Sequence, residues 1–200
     1  CMTVTDVNVV KSAIFERPDD ANKGTLGSLL CVCGSYGMAG AAVMSAKGAL
    51  RTGIGLAKCA LPRSIYPIVA QTILESVYYP LSENADGRIS KVNVPFLVSE
   101  SCKSSATLVG CGLGVCDDTL KIVFSLIENS TTPLVLDADA LNCVAKQPEI
   151  LLRKKAPIII TPHPGEMSRL TGLATPLVNA ERERVALDFA QKYGVVTVLK

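Results

Sequence analysis

Ala106-Thr107-Leu108-Val109-Gly110-Cys111-Gly112-Leu113-Gly114 leads into residues 117–128 and then into Leu134-Val135-Leu136-Asp137. The opening run is apolar without alternation, as a strand buried on both faces reads. Gly110, Gly112 and Gly114 end it. The stretch 117–128 begins with Asp117 and Asp118, where a helix dipole favours acids, and sets Leu120, Val123, Phe124 and Ile127 along one helical face. A second apolar run follows and closes on Asp137. Strand, turn, helix and strand in this order predict a βαβ unit with parallel pairing.

The same pattern extends in both directions. Apolar runs at 29–33, 55–61, 106–111, 134–136, 157–161 and 195–199 read as strands, each bounded by Gly, Pro or Asp. Residues 39–51, rich in Ala, Met and Leu, read as a helix that ends before Gly53 as a cap. Residues 179–193 read as another, with Val185, Ala186, Phe189, Ala190 and Tyr193 inward and the charges of 181–184 outward. Alternating strands and helices predict an α/β domain with a largely parallel sheet. Ligands of such sheets bind beyond the carboxyl ends of the strands, so the loops after the apolar runs carry the functional information.

Composition narrows the class. The 200 residues hold 20 Lys and Arg against 18 Asp and Glu, 48% apolar residues and 19% charged ones. That excludes a disordered chain and gives neither a basic footprint for nucleic acid nor a polybasic membrane patch. No apolar run approaches the roughly 20 residues of a membrane helix, and residues 1–20 lack a charged-then-apolar signal pattern. The eight cysteines (1, 31, 33, 59, 102, 111, 116 and 143) include no C-x-x-C pair, and His163 is the single histidine. No protein metal site is expected from them. They read as reduced, mostly buried thiols, and the expected location is the cytoplasm.

Four loops stand out. Gly34-Ser35-Tyr36-Gly37-Met38-Ala39-Gly40-Ala41-Ala42 lets a ligand approach the backbone and leads into a helix N-terminus suited to phosphate; structural turn and ligand loop are both open readings. Gly110-Cys111-Gly112-Leu113-Gly114 repeats the arrangement, and two such junctions in one sheet point to an extended phosphorylated ligand. Asp137 is placed to orient a phosphate or a cation, or to cap a helix, and Asp139 reads as structural. In Thr161-Pro162-His163-Pro164-Gly165-Glu166, two prolines hold the imidazole at the sheet's carboxyl edge, where it can donate to a phosphate or a substrate amide. Glu166 reads as a cap on the next helix.

These loops, in this order, resemble the ADP/ATP-dependent NAD(P)H-hydrate dehydratases. So do Lys23-Gly24-Thr25-Leu26-Gly27, Ala49-Leu50-Arg51-Thr52-Gly53-Ile54-Gly55-Leu56 and Leu136-Asp137-Ala138-Asp139-Ala140-Leu141. The resemblance implies a ribokinase-like three-layer sandwich over residues 23–200, preceded by a segment 1–22. It implies repair of hydrated nicotinamide cofactors, NADHX and NADPHX. ADP or ATP with Mg²⁺ phosphorylates the ring hydroxyl, and loss of phosphate restores NADH or NADPH. By the same resemblance Ala41, Gly112 and His163 line the hydrated-dinucleotide site, and Lys200 begins the nucleotide-binding motif. It further implies a homo-oligomer and an NAD(P)H-hydrate epimerase as pathway partner.

The sequence departs from the family pattern in two places. Cys111 stands where the family's G-P-G-x-G has proline, which loosens that turn while keeping its N–H donors. The 200 residues contain no Gly-Asp dipeptide, the family's catalytic base, so the catalytic residue is unassigned and the expectation is a domain incomplete at its C-terminal side. Two other readings share the fold. One is a kinase of a small alcohol or vitamin precursor, against which residues 161–166 argue. The other is a non-catalytic dinucleotide-binding fragment.

Overall fold

The computed structural model describes residues 6–13 and 25–200. Its strands are β1 (Ser28–Val32), β2 (Leu56–Pro62), β3 (Val77–Leu81), β4 (Ala106–Val109), β5 (Leu134–Leu136), β6 (Ile158–Ile160) and β7 (Val196–Thr197). They form one sheet in the order β3-β2-β1-β4-β5-β6-β7, with every neighbouring pair parallel. The helices are α1 (Val7–Ala13), α2 (Ala39–Arg51), α3 (Tyr66–Thr72), α4 (Val94–Cys102), α5 (Asp117–Asn129), α6 (Asp139–Val144), α7 (Pro164–Thr171), α8 (Thr175–Ala180) and α9 (Arg182–Tyr193).

Strand alternation sorts the core into two layers. Leu30, Val32, Val109, Leu134, Leu136, Ile158 and Ile160 face Ile122, Val123, Leu126 and Ile127 of α5, together with α6 and α7. Cys31, Cys33, Ala57, Cys59 and Leu61 face the opposite way, against Ala42 and Ala46 of α2 and Val69 of α3. Each fully buried Leu or Ile contributes roughly 1.5–3 kcal/mol. The small residues on α2 let that helix lie close to the cysteine-bearing strands. Beyond α2 this face opens into a groove of about 500 Å³ floored by Leu29, Leu108 and Val135, with Cys111, Asp137 and Thr161 at its carboxyl end.

The structure is the expected α/β sandwich, with differences at the margins. The run from Ala106 stops pairing at Val109 because Gly110 turns to φ 123°. Val196–Thr197 keeps only two residues of its run in the sheet. The single helix expected over 179–193 breaks at Glu181 (φ −127°), separating α8 from α9. Elements β3, α3 and α4 have no counterpart among the expected ones. Cys102, Cys111 and Cys116 are half-buried rather than buried, and the seven described cysteines are free. The boundary between residues 22 and 23, Cys1, and Lys23-Gly24 lie outside the described residues. Among the described residues no helix is long and apolar enough to cross a membrane.

Candidate active site

The direction of winding reverses between β1 and β4, with α2 on one face and α5 on the other. At such a switch point the loops diverge and leave a crevice at the strands' carboxyl ends. The two glycine-rich turns flank it and are clasped together. Gly34 N–H donates to the Cys111 carbonyl (2.8 Å), and Ser35 Oγ donates to the Gly112 carbonyl (2.8 Å). Ala41 and Gly112 meet so closely that a Cβ on residue 112 would sit 2.6 Å from the Ala41 methyl. The structure thus brings together two of the three residues expected at the dinucleotide.

The two turns differ electrostatically. Helix α2 starts with neither a side-chain cap nor an acidic residue in its first turn, so no side chain competes for its dipole, although Ala41 N–H already donates to Met38 O (3.2 Å). Helix α5 starts with Asp117 and Asp118, and a capping box closes it through Cys116 and Thr119. Three of the second turn's amides are engaged internally. Gly110 N–H donates to Val32 O (3.2 Å), Leu113 N–H to Gly110 O (3.1 Å) and Gly114 N–H to Asp139 Oδ2 (2.8 Å). Both turns engage part of their amides internally, at Gly34, Tyr36, Met38 and Ala41 in the first and at Gly110, Leu113 and Gly114 in the second, and they differ chiefly in the acids at the start of α5.

Asp139 is structural, pinning Gly114 and accepting from Asn142 (3.3 Å). Between it and Asp137, Ala138 adopts φ 49° and ψ −117°, a conformation costing roughly 1–3 kcal/mol in a non-glycine residue. Contacts on both flanks hold it there, because Asp137 Oδ1 is ion-paired with Lys200 Nζ at 2.8 Å. Val198 N–H donates to Ile160 O and Lys200 N–H to Pro162 O (both 2.9 Å), so the chain runs on beside the carboxyl end of β6 and the Lys200 side chain reaches across to Asp137 after β5.

His163 N-caps α7. Its Nδ1 accepts from Gly165 N–H (3.0 Å) and Glu166 N–H (3.4 Å), which places the imidazole proton on Nε2, 3.3 Å from Glu166 Oε1. Glu166 reciprocates by accepting the His163 backbone N–H at Oε2 (2.9 Å). The expected cap by Glu166 is present, and the imidazole shares in it. Its hydrogen bonds stay within its own turn, while its side chain is 52% exposed toward the carboxyl edge.

Cys111 carries a perturbation that the sequence pattern does not announce. The neighbouring Cys33 thiol donates to it, and Ser45 and Lys200 add to the effect, drawing its pKa down to about 7 despite burial and Asp137. Cys33, fully buried as the donor, is pushed well up, and burial raises Cys31 and Cys59 as well. The thiolate of Cys111 therefore grows as pH rises through about 7, two units below its ordinary 9.0. Iodoacetamide labelling followed by peptide mass spectrometry should show Cys111 reacting with a midpoint near that pH while Cys31 and Cys33 stay unmodified. Lys200→Met should move the midpoint upward. A wild-type midpoint near 9 would mean that the Cys33 thiol does not hold the Cys111 thiolate.

Among the described residues no group of three or more His, Cys, Asp or Glu side chains is placed to hold a metal ion. Asp137, the carboxylate expected near phosphate or metal, is neutralised by Lys200. These residues do not by themselves form a Mg²⁺ cradle, which needs one or two free carboxylates together with phosphate oxygens and water.

A seven-stranded parallel sheet in this order, with glycine-rich turns meeting at its switch point, defines a ribokinase-like α/β protein. A ribokinase-like superfamily protein from Enterococcus faecalis shares that fold at 21% identity and a TM-score of 0.74, over 94% of this chain and 62% of its own. The family model of the NAD(P)H-hydrate dehydratases (Carb_kinase) matches residues 29–200, and the chain belongs to that family. The ADP/ATP-dependent NAD(P)H-hydrate dehydratase of Bacillus subtilis, co-crystallized with ATP/Mg²⁺, superposes with a TM-score of 0.79 at 29% identity, over 96% of this chain and 64% of that one. The bifunctional NAD(P)H-hydrate repair enzyme Nnr of Thermofilum pendens is 38% identical over 184 residues, 92% of this chain and 35% of the relative. The chain thus spans under two-thirds of the length of these relatives.

Proposed function

We propose that this chain binds hydrated nicotinamide dinucleotides, NADHX and NADPHX, and contributes the substrate half of a nucleotide-dependent dehydratase. The observation that carries the reading is the Ala41–Gly112 contact at the switch point, beside the uncapped start of α2. A backbone-lined crevice at a helix N-terminus suits a pyrophosphate. In the reaction, ADP or ATP transfers its terminal phosphoryl group to the ring hydroxyl. Phosphate then leaves with its C–O bonding pair, a ring proton is lost, and the double bond of NADH or NADPH returns. Mg²⁺ enters with the nucleotide. Lys200 stands at the β7 end, where the nucleotide would approach, and its release from Asp137 would free the ammonium for phosphate and the carboxylate for a cation.

The test is calorimetric titration of NADHX and NADPHX into the 200-residue chain. Saturable binding is expected, and failure to bind either compound sinks the reading. Recovery of dihydronicotinamide absorbance with ADP or ATP and Mg²⁺ is expected of a chain that also carries the family's Gly-Asp pair. Phosphorylation of a small alcohol without that recovery would favour the kinase reading.

A further inference from the structure

We propose that Arg88 is a substrate-binding residue, its guanidinium pairing with the phosphate charge of the dinucleotide at the Gly110–Gly114 turn. The assignment rests on the dinucleotide reading above. It comes from the segment 82–90, which leaves the far edge of the sheet after β3 and crosses its carboxyl end before the chain enters α4. Asn84 organises the crossing: its Oδ1 accepts the N–H groups of Asp86 (3.0 Å) and Arg88 (3.1 Å), and its Nδ2 donates to Asp118 at the start of α5 (3.0 Å). Tyr36 of the first turn donates its N–H to Gly87 O (2.9 Å), so the crossing is fastened to both sides of the crevice.

Arg88 then lies directly on the second turn. A Cβ on residue 114 would be 2.5 Å from Arg88 Nε, so the absence of a side chain there is what admits the guanidinium. Nη1 donates to Val115 O (3.3 Å), and the head group reaches the Cys116 thiol, contacts that fix its place while leaving part of its five-donor fork available. Asp86 is 3.6 Å away but 67% exposed, too solvated to neutralise the cation strongly. Arg88 itself is 31% exposed.

The electrostatic setting calls for such a cation. Gly110, Leu113 and Gly114 have their amides engaged within the protein, and Asp117, Asp118 and Asp139 stand around the second turn. A dinucleotide brings at least two negative charges into this surrounding. With three carboxylates nearby to oppose an anion, a guanidinium together with the remaining amides suits phosphate there better than backbone alone.

The experiment titrates NADHX and NADPHX into wild-type, Arg88→Gln and Arg88→Lys chains at several salt concentrations, with thermal melting as the check on folding. Arg88→Gln should weaken binding by about tenfold or more and flatten the salt dependence of the affinity. Arg88→Lys should keep most of the salt dependence while losing part of the affinity. Equal loss for both ligands assigns the contact to the pyrophosphate, and a loss confined to NADPHX assigns it to the 2′-phosphate. Weaker binding with an unchanged salt dependence would mean a structural role and overturn the assignment, as would unchanged binding. A wild-type chain that binds neither ligand overturns the dinucleotide reading itself. Wild-type binding with Arg88→Gln indistinguishable from it overturns the Arg88 assignment alone.

Discussion

Gly110→Ala should lose about 4 kcal/mol or more of unfolding free energy, the largest single-residue effect expected in this chain. Gly110 is buried at φ +123°, a conformation L side chains rarely adopt. Its absent Cβ would lie 2.0 Å from the Asp137 carbonyl oxygen and 2.7 Å from both the backbone nitrogen and the methyl of Ala140. Two of these three atoms are backbone and the third sits at the start of a helix, so none can rotate away. Asp139 N–H also donates to Gly110 O (3.3 Å), tying β4 to the segment after β5 at this point. Relief would require separating the two strand ends that support the crevice. Urea unfolding measures the loss, with Gly48→Ala as the contrast. Gly48 lies exposed inside α2 with nothing within 4 Å of its Cβ position, and its replacement should gain about 1 kcal/mol. Equal behaviour of the two variants would refute the packing at the switch point.

Strands β1, β4, β5 and β6 are legible because strands covered on both faces are almost wholly apolar, and β2 is legible despite Lys58, whose ammonium pairs with Glu100 at 3.6 Å. Helix α5 is legible because its acidic start and its apolar stripe agree. The β3 strand is not, since Val77-Tyr78-Tyr79-Pro80-Leu81 lies at the sheet edge, is only partly covered, and carries a proline that a central strand would exclude. Helices α3 and α4 are short and begin with Pro67 and Pro95 in their first turns, residues that read more readily as breaks. At the site, the pairing of Ala41 with Gly112 follows from two turns meeting at one switch point. The role of residues 82–90 could not be anticipated, because nothing local marks a loop that crosses three strand ends to put Arg88 on Gly114. Asp117 and Asp118 are visible as helix-start residues. Their opposition to an anion becomes apparent only once the second turn is seen to lie beside them. The His163–Glu166 cap does have a local signal, a side-chain acceptor three residues ahead of a glutamate, which is the capping-box spacing with histidine in the place of serine or threonine.

That cap is the second site of large expected effect. Glu166→Ala should cost about 1–2 kcal/mol of stability and detach the imidazole from its present orientation. Glu166 is 6% exposed, and its two oxygens serve the same residue, one holding the His163 backbone N–H at 2.9 Å and the other facing Nε2 at 3.3 Å. Alanine leaves that N–H without its partner and removes the group that fixes the ring from the far side. Only the Nδ1 contacts with Gly165 and Glu166 N–H would then restrain it. Glu166→Gln separates the two consequences. Its amide oxygen can still accept the backbone N–H, so most of the stability should remain. Its NH₂ would face the protonated Nε2 and turn the ring. If His163 contacts the dinucleotide, both variants weaken NADHX binding, whereas the stability loss is confined largely to alanine. Urea unfolding and calorimetric titration on the same three proteins distinguish these effects. A glutamine variant that binds as wild type while alanine loses both would confine Glu166 to holding the helix, and would show that the orientation of the His163 ring is unimportant to the ligand.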